Sequence, residues 1–248
     1  MRRTKWAEKI IPNPRQEREY IERDNKQSFD DKTKRIKKSG NKKQIMENSN
    51  LGSLIDNDIL KILYSRGITT EKEVIEFLNP KMENIQDPYG LQDMEKMVLE
   101  IERAIEEQKN IWIFGDYDVD GITSTSILYM ALKELGAENV NYYIPIRDEG
   151  YGLNNEALKK IKDSGADLVI TVDCGITAFP EVEFANSIDL PIIITDHHNL
   201  HGEKVPAAVA VVNPKRFENE FSFEFLAGVG TIFMVILCLY ERIGKKAK

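Results

Sequence analysis

From residue 111 onward, short runs of Val, Ile and Leu alternate with longer stretches in which apolar positions recur at helical spacing. The runs at 111–114, 140–144, 168–172, 192–195 and 209–212 are short, continuous and rich in Val and Ile, the pattern of strands covered on both faces. Helical patterns lie between them at 123–135, 154–162 and 177–187. An amphipathic helix over 94–108 precedes them, with Val98, Ile101 and Ile105 on one face. This alternation predicts an α/β fold with a doubly wound parallel sheet. In such sheets the functional crevice lies beyond the carboxyl ends of the strands.

Upstream the pattern differs. In 55–80, Ile59, Ile62 and Leu63 are spaced for one helical face, Gly67 stops that helix, and Thr70 can cap the next. Val74, Phe77 and Leu78 give the second helix its stripe. Pro80 and Asp87-Pro88-Tyr89-Gly90 read as a linker. Residues 13–50 are charged and nearly aperiodic. The expected organisation is an arm over 1–50, a small helical module with its linker over 51–90, and the sheet domain over 91–248. The uncharged stretch 226–240, 15 residues, is short for a membrane span of about 20 and reads as a core helix. Its run 232–239 is apolar enough to expect cover from further chain.

Composition narrows this picture. With 42% hydrophobic and 30% charged residues, the 248-residue chain has the make-up of a soluble domain with a sizeable core. Two cysteines, Cys174 and Cys238, form no disulfide framework, and the opening residues lack an apolar signal region, so a cytoplasmic location is expected. The net charge of −7 is unevenly spread: residues 1–43 hold 15 Lys/Arg and 7 Asp/Glu, the remainder 19 and 34. A basic N-terminal arm on an acidic body can steer an anionic polymer; a solvated leader is the competing reading.

The strand ends carry the chemistry. Gly115-Asp116-Tyr117-Asp118-Val119-Asp120-Gly121 follows the first strand, Asp173-Cys174-Gly175 the third, and Asp196-His197-His198 the fourth. Carboxylates converging on one crevice repel unless cations sit among them. Oxygen-rich donors with an imidazole suit Mg²⁺ or Mn²⁺, and a carboxylate shared by two ions suits phosphoryl displacement. Thr123 and Ser124 are expected to open the following helix, where amides favour an anion. An EF-hand would need Glu at its twelfth position, here Ile127, after a helix where a strand is expected. An Asp after a strand is often only a turn former, and a lone His is more often structural than a ligand. Their recurrence at three separate strand ends favours the metal reading. Cys174 reads as packing and His201 as solvated. Neither Gly-x-Gly-x-x-Gly nor Gly-Lys-Ser/Thr is present, which disfavours dinucleotide and P-loop sites.

At these residues the chain resembles the DHH phosphoesterase superfamily, and within it the RecJ single-strand exonucleases. The resemblance is carried by Arg66-Gly67-Ile68-Thr69, Phe77-Leu78-Asn79-Pro80, the run from Gly115 to Gly121, and Glu149-Gly150-Tyr151-Gly152-Leu153. It continues through Val172-Asp173-Cys174-Gly175, Thr195-Asp196-His197-His198, Val212-Asn213-Pro214-Lys215 and Leu226-Ala227-Gly228-Val229-Gly230. It implies two Mn²⁺ or Mg²⁺ ions held by Asp118, Asp120, Asp173 (bridging) and His197, with Asp116 as a further ligand. By the same resemblance His198 faces the scissile phosphate and Asp196 orients an imidazole. Arg147 is assigned a phosphate contact, since Arg can grip phosphate oxygens bidentately. The implied activity is 5′-to-3′ exonucleolysis of single-stranded DNA in repair and recombination, with single-strand binding protein and a helicase as partners and no membrane. A further family motif with a metal-binding Asp has no counterpart before Lys248, so the chain is expected to be a fragment. The alternatives are a DHH enzyme for short oligonucleotides or cyclic dinucleotides, and an inactive nucleic-acid-binding protein.

Overall fold

The computed structural model describes residues 55, 57–150 and 152–244. The expected arm over 1–50, and Tyr151 of the Glu149–Leu153 motif, lie outside the described residues. The chain divides into two compact units after Asn84.

The first unit pairs α1 (Asn57–Ser65) with α2 (Glu71–Leu78). Gly67 ends α1 at φ +90°, its N–H reaching Tyr64 O at 3.1 Å while Ile68 N–H reaches Leu63 O at 3.1 Å. Thr70 caps α2 by accepting Glu73 N–H at 3.2 Å, and Glu73 Oε2 accepts Thr70 N–H at 2.8 Å. The buried seam keeps Leu63 and Val74 of the expected faces and differs in the rest. Leu60, Leu63 and Val74 are buried with Ile55, Tyr64 and Ile68 against them, whereas Ile59, Ile62, Phe77 and Leu78 are exposed. Two helices this short bury a single seam, which takes only one apolar row from each.

The second unit is the sheet domain. Its elements are α3 (Met94–Glu106), β1 (Ile111–Gly115), α4 (Val119–Glu134), β2 (Val140–Tyr143), α5 (Asn155–Asp163) and β3 (Leu168–Val172). There follow α6 (Phe179–Ser187), β4 (Ile192–Thr195), β5 (Ala210–Val212) and α7 (Gly228–Gly244). All strand pairs are parallel, in the order β2-β1-β3-β4-β5. Ile111, Ile113, Ile170, Val172 and Ile193 pack on one face with residues of α3, α4 and α7. Phe114, Val169, Ile192 and Ile194 pack on the other with residues of α5 and α6. This is the doubly wound arrangement, and strand order reverses between β1 and β3, where a crevice opens.

Two expectations need correction. The segment at 86–92 is not a bare linker: Glu220 and Phe221 N–H both bond Gly90 O, and Gln92 N–H bonds Asn219 Oδ1 at 2.8 Å. Cover for α7 comes from the described chain itself. Ile232, Val235, Cys238 and Leu239 are buried in the core with α3 and α4, and Phe233, Leu237, Tyr240 and Ile243 pack on the same cluster. No helix among the described residues is long and apolar enough to cross a membrane.

The edge strand β5 is closed by side chains. Asp93 (φ +64°) accepts Val211 N–H at 3.2 Å and Arg216 Nη1 at 2.9 Å, while Nη1 also donates to Val211 O at 2.7 Å. Arg216→Ala leaves this buried carbonyl and a half-buried carboxylate without their cation. It should cost about 2–3 kcal/mol in urea unfolding; a loss below about 0.5 kcal/mol would show the edge needs no such closure.

Candidate metal centre

The first loop is built by close approach. A methyl group at Gly115 would lie 2.1 Å from Thr125 Oγ1, and one at Gly121 would lie 2.5 Å from the Asp116 carbonyl oxygen. Only glycine lets β1 turn directly into α4 here. Asp116 is buried, and its carboxylate accepts Tyr117 N–H at 2.7 Å. Asp118 is the N-cap of α4, accepting Gly121 N–H at 3.0 Å. Asp120 leaves the first turn of α4 and accepts two amides from the first turn of α7, Gly228 N–H on Oδ2 and Val229 N–H on Oδ1, each at 2.7 Å.

Asp173 follows β3 at φ +61°, a backbone conformation that residues other than glycine seldom adopt, and is 2% exposed. Asp196 follows β4 and is also buried. Its Oδ2 accepts Ile176 N–H at 2.9 Å; its Oδ1 meets His197 N–H at 2.7 Å, His198 N–H at 3.0 Å and His198 Nδ1 at 2.7 Å. Burial alone would raise the Asp196 carboxyl, but the hydrogen bonds from His198 and Ile176 outweigh it and hold it below the usual range. The same bond with Asp196 raises the His198 imidazole above its ordinary value.

These loops converge. His197 Nε2 lies 3.1 Å from Asp173 Oδ1 and 3.6 Å from Asp120 Oδ2. Two sets of donor atoms lie within 4.8 Å of one another: Asp116, Asp118 and Asp173, and Asp173, His197 and His198. Asp173 belongs to both. Burial, then the charges of Asp120 and Asp118, push its carboxyl up to about 7. Burial likewise raises Asp116. Carboxylates and imidazoles in this number, with no thiolate in reach, match the donor chemistry of Mn²⁺ or Mg²⁺. Cys174 is buried with Sγ 3.9 Å from Phe114 O, so it packs.

The Arg147 guanidinium lies 5.1 Å from the centre of the Tyr117 ring, in the loop that follows β1. Thr123 and Ser124 do not open α4, which begins at Val119. Their hydroxyls donate back along the helix, Thr123 Oγ1 to Val119 O at 2.7 Å and Ser124 Oγ to Asp120 O at 2.6 Å, and Ser124 is fully buried. The expectation failed because Asp118, read only for its chemistry, is also the cap. Sequence reasoning assigned no role to the Gly228 and Val229 amides, or to Asn213, whose buried amide donates to His198 O at 3.0 Å. The signal for the first was present as Gly228-Val229-Gly230 opening an apolar helix.

Residues 110–248 match the family model "DHH family, N-terminal domain". The single-stranded-DNA-specific exonuclease RecJ of Bacillus subtilis is 42% identical over 176 residues, covering 71% of this chain and 22% of that protein. The RecJ of Escherichia coli is 38% identical over 183 residues, covering 73% of this chain and 31% of that protein. The chain thus spans between a fifth and a third of these relatives. Among solved structures, exonuclease RecJ bound to manganese superposes with a TM-score of 0.56 at 36% identity, over 62% of this chain and 39% of that one. RecJ with Mn²⁺ from Thermus thermophilus gives 0.58 at 30% identity, over 73% of this chain and 24% of that one.

The raised Asp173 carboxyl makes metal-free stability depend on pH. A carboxyl lifted from 3.8 to about 7 contributes stability that is complete below the lower value and is lost as pH rises through the upper one. Urea midpoints of metal-free protein should therefore fall between about pH 4 and 7.5, and Asp173→Asn should flatten the decline. Equal slopes in both proteins would remove Asp173 as the cause.

Proposed function

The chain belongs to the DHH family, and from that membership we propose that it carries the metal centre of a phosphodiesterase acting as a 5′-to-3′ exonuclease on single-stranded DNA and releasing nucleoside 5′-monophosphates. The observation that carries the reading is the convergence of His197 on Asp120 and Asp173, with Asp173 shared between two donor sets. The likeness to RecJ proteins, one of them solved with manganese, supports the substrate class. Polarity rests on that likeness alone.

In this reading Asp118, Asp120, Asp173 and His197 would hold two divalent cations, Mn²⁺ or Mg²⁺, with Asp116 as a further ligand and Asp173 shared between them. Such ions, when bound, supply the positive charge that activates water and steadies phosphoryl oxygens. The chain's own groups do the rest. His198, held by Asp196 and with its imidazole raised, offers a proton at Nε2 to the scissile phosphate or the departing oxygen. Arg147, kept over the Tyr117 ring, contacts a phosphate of the strand. An exonuclease of this kind works in DNA repair and recombination, in the cytoplasm, beside single-strand binding protein and a helicase.

The full-length protein, given Mn²⁺ and a long single strand labelled at its 5′ end, should release labelled mononucleotide first. A surviving long strand beside cleaved dinucleotides would instead make this an oligonucleotide or cyclic-dinucleotide enzyme. Asp173→Ala should lower the rate more than about a hundredfold; near-normal turnover would refute its shared role. Asp196→Asn removes the charge that raises His198, so the alkaline limb of the pH–rate profile should move to lower pH. An unmoved limb would exclude His198 as the proton donor.

A further inference from the structure

Asp120 reaches the centre from α4, yet its carboxylate is fixed by α7, 108 residues further along the chain. Oδ2, the atom 3.6 Å from His197 Nε2, takes the Gly228 amide, and Oδ1 takes the Val229 amide. The helix N-terminus adds partial positive charge at that point. A carboxylate offers about four lone-pair directions, so two amide bonds leave each oxygen able to face a cation.

Gly228 meets a second carboxylate. A methyl group there would lie 2.4 Å from Asp173 Oδ1 and 2.7 Å from its Cγ. Asp173 is already held by the turn after β3, at φ +61°, and cannot retreat without strain. Nor can the helix: Ile232, Val235 and Leu239 are wholly buried in the core behind it. The first turn of α7 thus touches both carboxylates on which His197 converges, from a rigid base.

We infer that Gly228 and Val229 are positioning residues of the metal centre. Their amides orient Asp120 for ligation, and the bare Cα of Gly228 sets how closely Asp173 approaches it. Neither side chain touches an ion or the substrate; both act through the two carboxylates. This rests on the metal reading given above.

Mn²⁺ titration calorimetry on the full chain tests it. Val229→Pro replaces one first-turn amide hydrogen with a ring methylene, so Asp120 loses that bond and is pushed from its place, in a turn where the helix itself tolerates proline. It should weaken Mn²⁺ binding about tenfold to a hundredfold. In an Asp120→Ala background the same substitution should cost no further affinity, because its target is gone. Gly228→Ala should lose at least as much as Val229→Pro. Gly230→Ala, where the atoms nearest an added methyl belong to the flexible Leu226 side chain, the first at 3.3 Å, should bind as wild type does. Undiminished affinity in Val229→Pro, or an equal loss with and without Asp120, overturns the inference, since a purely structural effect would ignore Asp120. A wild-type chain that binds no Mn²⁺ overturns the metal reading itself, and the inference with it.

Discussion

The placement of Asp173 is the constraint around which the rest is arranged. Its carboxyl is almost wholly buried, sits on a strained backbone, and faces the charges of Asp120 and Asp118. Burying one such group without a counter-charge is costly; burying it among its own kind costs more, and its raised pKa expresses that cost. A fold that tolerates this must either neutralise the cluster or hold it open by force. The described residues do both in part: backbone amides satisfy Asp118, Asp120 and Asp196, and His197 reaches Asp173. What remains unbalanced is the charge that a divalent ion carries.

The sheet makes this possible. Parallel strands deliver successive loops to one edge, and the reversal between β1 and β3 leaves a gap there instead of a crossing connection. Helices cover both faces of the central strands, so polar side chains gather at the strand ends without breaking the core. The helices then supply the hydrogen bonds that loops alone could not. The amide of Gly121 in α4 and those of Gly228 and Val229 in α7 point into the crevice, and favour negative charge there.

Much of this was legible in the sequence, for physical reasons. Strands covered on both faces are rich in Val and Ile with few polar positions, so 168–172 and 192–195 were placed to the residue. Acidic residues beside glycine at strand ends, as in Asp118-Val119-Asp120-Gly121 and Asp173-Cys174-Gly175, stood out because little else requires that pairing. What failed was context. Ile59, Ile62 and Leu63 look like one core row, but only Leu63 of the three lies in the seam, joined by Leu60, because which row is buried is decided by the partner helix. The start of α4 was placed late because one residue, Asp118, does two jobs. The bond from Asp120 to α7 spans a separation over which hydrophobic periodicity carries no information. Long-range polar contacts are where sequence reading runs out and where this centre is assembled.

The central claim is that two divalent cations complete the carboxylate cluster and share Asp173. Anomalous diffraction at the manganese edge, from crystals of the chain grown with Mn²⁺, tests it most directly. The account predicts two peaks about 3.5–4 Å apart, with Asp173 oxygens in contact with both. A single peak that leaves Asp173 untouched, or a cluster without manganese at saturating concentration, would contradict it.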